Sequence, residues 1–170
     1  MDAQRPDFIY PPGSMLMHSP LVLSKADMYG FFLKGKMLNL QNSIDKCLNQ
    51  VAGSAMYFKV LSPYVLTSFT RVDKAYSEYP QDRDKGWIQE TDIVTWVMVG
   101  RQNSCDSDDI SHVYFHPLHI FVNDAMALIN GRELFGYPKY MCEYEMPEVG
   151  EPLTKLSLSS KSFKHFSQDS

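Results

Sequence analysis

Apolar residues along this chain fall mostly into short runs, and one stretch has helical spacing. Leu40, Ile44, Leu48 and Val51 recur every three or four residues, with Cys47 beside them. That period predicts an amphipathic helix. Asn39 or Asn42 could cap it, and Gly53 follows its end. The other apolar segments read as strands. Residues 21–33 form one, broken near Lys25-Ala26-Asp27. Residues 56–60 and 64–72 form two more, separated by Ser62-Pro63. Residues 87–99 are a long run rich in β-branched side chains, followed by 113–121 and 125–129. Asn130-Gly131 is a turn signal. Residues 141–146 alternate weakly and 153–158 cleanly, while 75–85 and 102–109 are polar and read as loops. The pattern predicts a mainly β (α+β) protein with one clear helix. Its divisions are an extended proline-rich arm over 1–20, a folded domain over 21–158 and a polar tail over 159–170.

Composition narrows the class. At 170 residues the chain can bury one real core. Its 44% hydrophobic and 21% charged residues are those of an ordinary globular protein. A net charge of −4 gives no broad attraction to nucleic acid or acidic membranes. Cys47, Cys105 and Cys142 are far apart and odd in number, which argues against a disulfide framework and for a reducing compartment. No apolar run is long enough to span a bilayer, and Met1 to Pro6 lack the apolar core of a signal peptide. The cytoplasm is the expected location.

Candidate chemistry concentrates in the run from Gly131 to Met141, Gly-Arg-Glu-Leu-Phe-Gly-Tyr-Pro-Lys-Tyr-Met. Pro138 fixes its own φ and pushes Tyr137 toward an extended conformation, so the backbone entering Lys139 is stiff. A lysine aimed into an apolar pocket loses hydration of its ammonium form, and a neutral amine can form a Schiff base with a ketone or aldehyde. A solvated lysine after a turn is the commoner outcome for such a residue type. His112, His116 and His119 are spaced as H-x3-H-x2-H, but a strand would turn His119 away from the other two. They read as polar strand positions rather than a zinc site. The acidic loop at 106–109 lacks the glycine and distal glutamate of a calcium loop.

The nine residues from Gly131 to Lys139 resemble the active-lysine segment of the acetoacetate decarboxylase family. The likeness extends weakly from about Tyr29 to about His165. It takes in a strand at 29–33, a helix around 40–51, and Trp87-Ile88-Gln89-Glu90 leading into a long strand. The resemblance implies an antiparallel β barrel or cone, and a decarboxylase of a small β-keto acid that works through a lysine Schiff base. Schiff-base aldol or dehydration chemistry and a noncatalytic binding domain are the alternatives. It implies Lys139 as nucleophile and Glu90 as the pocket carboxylate, with no metal or organic cofactor. A solvated glutamate at the strand start is the alternative for Glu90. Arg132 either faces a substrate carboxylate or braces the lysine loop. Two departures stand out. The family carries a second lysine where this chain has Tyr140, and an arginine on its first long strand where this chain reads Lys25-Ala26-Asp27-Met28-Tyr29. Family members are also longer, which leaves barrel closure open. The expected partners are a small keto-acid substrate and further copies of the chain, since a shortened β domain leaves a strand edge to cover. Neither nucleic acid nor membrane is expected as a partner.

Overall fold

The computed structural model describes residues 16–105 and 107–162. A five-stranded sheet runs in the order β1-β2-β3-β4-β5, and a separate two-stranded sheet pairs β6 with β7. The strands of the larger sheet are β1 (Leu21–Lys34), β2 (Tyr57–Ser77), β3 (Ile88–Gln102), β4 (His112–Val122) and β5 (Lys139–Met141). The smaller sheet holds β6 (Glu143–Glu145) and β7 (Ser157–Ser159). The mainly β architecture is as the sequence predicts, but the described strands form an open, mixed sheet. Strands β1 to β4 are antiparallel, whereas β4 and β5 run parallel.

The predicted helix is α1 (Met37–Ile44), which continues through a π turn at Asp45–Asn49 into a last turn at Gln50–Ala52. Leu40 and Ile44 lie four residues apart, so they share one face of the helix. They pack on Val60, Val65, Val97 and Val99 of the sheet. Neither Asn39 nor Asn42 caps α1; Lys36 holds that position without a side-chain hydrogen bond. Gly53 ends the helix at φ 60°, a left-handed conformation that glycine adopts without a Cβ clash.

Two strand assignments change. The runs 56–60 and 64–72 are one strand, β2, whose register shifts between Val60 and Val65. The bulge absorbs Pro63, which cannot donate to the ladder. The larger correction concerns 125–129, which is helical. α2 (Ala125–Glu133) starts where the Asp124 carboxylate accepts from the backbone N–H of Met126 at 2.8 Å and of Ala127 at 3.0 Å. Ala, Met and Leu favour a helix once it is capped. Asn130-Gly131 therefore lies inside the last helical turn rather than in a turn between strands. Parallel strands need a crossover, and α2 is that connection between β4 and β5.

Residues 1–15 of the proline-rich arm lie outside the described residues. Residues 16–18 are strapped onto the domain. The Met17 N–H donates to Asn130 Oδ1 at 2.6 Å, and the His18 N–H donates to Asp82 Oδ2 at 2.6 Å. Ser77 Oγ donates to the His18 carbonyl, and Lys85 Nζ to the Leu16 carbonyl, each at 2.6 Å. Asp82, 3% exposed, also pairs with Lys85 at 2.8 Å. Burial alone would push the Asp82 carboxyl up. The His18 N–H, the Lys85 ammonium and the His18 ring outweigh it and hold it at about 2. Asp82→Asn is expected to lower stability by on the order of 1–3 kcal/mol in urea unfolding. It should also open the chain near His18 to proteolysis. Unchanged stability and unchanged protection would contradict this account of the strap.

Candidate active site

Lys139 is the first residue of β5, delivered by the α2 crossover and the Tyr137-Pro138 approach. Ile120 of β4 pairs with Lys139 on one side and with Val94 of β3 on the other. The lysine stem runs from β5 across β4 toward β3, whose backbone stands about 10 Å away at ordinary strand spacing, and the Asp92 side chain covers part of that distance. Its side chain is 12% exposed. Its amine lies 3.2 Å from Asp92 Oδ1 and 4.0 Å from Glu90 Oε2, both on β3. Glu90 and Asp92 are two residues apart on one strand, so they project from the same face.

Gly131 makes room for the stem. A Cβ at that position would stand 2.5 Å from Lys139 Cδ and 2.6 Å from Cε. The α2 surface over which the lysine lies is thus built from small residues four apart, Ala127 and Gly131, beside the buried Asn130. The amine and both carboxylates open into a cleft of about 370 Å³. Its apolar walls include Met17 of the strap, Leu21, Ile88, Phe135 and Tyr137. The volume suits a small organic molecule.

The sequence reading expects an apolar pocket to act on the lysine by desolvation. The walls are largely apolar, but two carboxylates stand at the amine itself, and one of them, Asp92, is a residue that the sequence reading misses. Period-two alternation from Glu90 along a predicted strand is the signal that finds it. Burial, then the charge of Asp92, push the Glu90 carboxyl up to about 7 against the opposing effect of Lys139; Asp124 adds a smaller upward push. At neutral pH a large fraction of Glu90 therefore holds a proton.

The remaining candidates lie elsewhere. Arg132 is exposed and does not line the cleft; its guanidinium donates to the Lys139 carbonyl at 3.4 Å, the bracing arrangement. Tyr140 is 47% exposed and contacts the ring of Phe121. His112 stacks on Tyr114, His116 Nε2 lies 3.5 Å from Cys47 Sγ, and His119 sits against Phe121. Among the described residues no group of three or more His, Cys, Asp or Glu converges as metal ligands. The Cys142 thiol is pushed up to about 11, by burial first and then by the Asp92 charge. No helix among the described residues is long and apolar enough to cross a membrane.

The family model for acetoacetate decarboxylase matches residues 57–161, which carry Glu90, Asp92 and Lys139. The chain belongs to the acetoacetate decarboxylase family. Its fold is similar to the crystal structure of acetoacetate decarboxylase from Legionella pneumophila subsp. pneumophila str. Philadelphia 1, with a TM-score of 0.52 and 16% identity. That match covers 85% of this chain and 45% of the Legionella chain, so this chain spans less than half of that protein's length. No curated protein matches. Membership of the acetoacetate decarboxylase family supports a decarboxylase-like place for the chain within its superfamily.

The raised Glu90 value makes stability depend on pH. Below its ordinary value of 4.5, the folded and unfolded chains both carry the proton. Between 4.5 and about 7 the unfolded chain ionises while the folded chain keeps its proton, so stability falls as pH rises. Above about 7 the loss is complete. Glu90→Gln cannot ionise and should gain on the parent across this window, by on the order of 1–3 kcal/mol at pH 8. Urea unfolding at pH 4.5 and pH 8 reads the difference. A gap that does not widen with pH would contradict the assignment.

Proposed function

We propose that Lys139 forms a Schiff base with a small carbonyl substrate and that the protein is a lyase that decarboxylates a β-keto acid. The observation that carries this reading is a lysine side chain, 12% exposed, lining a small-molecule cleft with two carboxylates beside its amine. Membership of the acetoacetate decarboxylase family supports it.

In this reading the neutral amine attacks the ketone and, with one proton taken up, water leaves to give a protonated iminium. The bond to the substrate carboxylate then breaks, carbon dioxide departs, and its electron pair moves onto the iminium nitrogen to leave an enamine. Glu90 holds a proton at neutral pH and lies 4.0 Å from the lysine nitrogen, which suits it to protonate the enamine carbon. Hydrolysis of the resulting iminium releases the ketone and restores the amine. The protonated nitrogen is the electron sink, so the sequence of steps balances without a further group.

One observation favours a second reading. Among the described residues lining the cleft, Lys139 is the one cation, and Arg132 is turned outside. Among the described residues no guanidinium lines the cleft to meet a substrate carboxylate, a setting that also suits Schiff-base aldol or dehydration chemistry on an uncharged carbonyl compound.

Incubation with a small β-keto acid and borohydride should fix a stable adduct on Lys139, located by peptide mass mapping. Lys139→Ala and Lys139→Arg should both abolish the adduct, because a guanidinium stays protonated and forms no imine. Evolution of carbon dioxide separates decarboxylation from the second reading. A folded protein that yields no adduct with keto acids or aldehydes would sink both.

A further inference from the structure

A lysine nucleophile must lose a proton before it attacks and must later expel an oxygen as water. Among the described residues no second cation lines the cleft to favour the neutral amine. A carboxylate is there in its place. Asp92 Oδ1 lies 3.2 Å from Lys139 Nζ, within hydrogen-bond reach, on the strand that forms the cleft floor. Its side chain is 22% exposed, open enough to meet a substrate and sheltered enough to stay aligned. Glu90 Oε2, at 4.0 Å, is beyond hydrogen-bonding distance of the amine.

We infer that Asp92 is the acid–base residue that serves Lys139, taking the proton from its ammonium and returning it to the departing oxygen. The inference rests on the Schiff-base reading and adds a catalytic residue to it. The steps balance. The Asp92 carboxylate accepts a proton from the Lys139 ammonium, leaving a carboxylic acid and an amine. The amine nitrogen adds to the carbonyl carbon, and the nitrogen's surplus proton passes to the alkoxide to give a neutral carbinolamine. Asp92 then protonates the hydroxyl, the carbon–oxygen bond breaks, and water leaves. The lone pair of nitrogen closes the carbon–nitrogen double bond. The products are one water, a positively charged iminium and the Asp92 carboxylate facing it, so the total charge matches that of the starting ion pair.

The two carboxylates thereby divide the work. Asp92 is placed to accept a proton from nitrogen. Glu90, whose burial favours the protonated form, is placed to donate one to carbon. The Lys139 stem is held against Gly131 of α2, so the amine meets Asp92 without a rearrangement of the strands.

Cyanoborohydride trapping with acetone and with acetoacetate as probes tests this on the full chain. Asp92→Asn keeps the size of the side chain and should slow adduct formation on Lys139 on the order of 100-fold, the usual share of a positioned acid–base group. Asp92→Ala should be equally slow and should regain rate when formate is added, a response that a purely structural role would not give. Thermal unfolding shows whether each variant is folded; if Asp92→Asn is not, the formate response of Asp92→Ala decides. An adduct that forms as fast or faster in Asp92→Asn would overturn the inference, because it would make Asp92 a mere counter-ion that holds the ammonium back. In that case a lysine adduct in the parent protein leaves the Schiff-base reading standing. No adduct in the parent would overturn that reading and the role of Asp92 with it.

Discussion

The ion pair between Lys139 and Asp92, with Glu90 just behind it, is the contact around which this end of the molecule is organised. A lysine amine withdrawn from water is costly unless it meets an opposite charge. Here the opposite charge sits two strands away, and the lysine reaches it only because two conditions are met. β5 runs parallel to β4, so the stem starts beside Ile120 and crosses over the sheet. α2, which makes that parallel pairing possible, presents Gly131 where any Cβ would collide with the stem. With the cation engaged at Asp92, Glu90 is left as a buried carboxyl beside another negative charge and shifts toward its protonated form. The ion pair thus fixes the geometry of the nucleophile, while burial first and the Asp92 charge second set the protonation of its neighbour.

The strap supplies a wall of the same cleft. Met17 lines the cavity, and its backbone N–H is bonded to Asn130, the residue before Gly131. The position of the strap and the position of the lysine stem are thus fixed on one helical turn. Asp82 and Lys85 hold the other side of the strap at the carbonyl of Leu16 and the N–H of His18. The cleft is assembled from the N-terminal segment, strands β1, β2, β3 and β5, and the crossover helix with the loop that follows it.

Much of this was legible in the sequence, and what was missed has identifiable causes. The long strand carrying Glu90, the amphipathic spacing of Leu40 and Ile44, and the stiff approach to Lys139 are local features, and each is read from neighbouring residues. α2 was missed because Ala125 to Ile129 is a short, wholly apolar run whose period is ambiguous. The cap at Asp124 was the deciding signal. Asp92 needed only the strand period applied once more from Glu90. The strap could not be read at all, since its bonds join residues 113 and 64 positions apart. The bracing position of Arg132 likewise depends on how α2 and β5 meet. The sequence already shows Tyr140 in place of the family's second lysine, but the carboxylate that meets Lys139 comes from a distant strand.

The most direct test of the central claim uses a β-diketone, which condenses with a reactive amine to give a stable, conjugated enaminone that absorbs in the near ultraviolet. Titration of the folded protein with acetylacetone at neutral pH should produce that band to a limit of one equivalent per chain. Mass mapping should place the added group on Lys139, and Lys139→Ala should show no band. A band of the same size in Lys139→Ala, or none in the parent protein, would contradict the account of a cleft built to present this amine as a nucleophile.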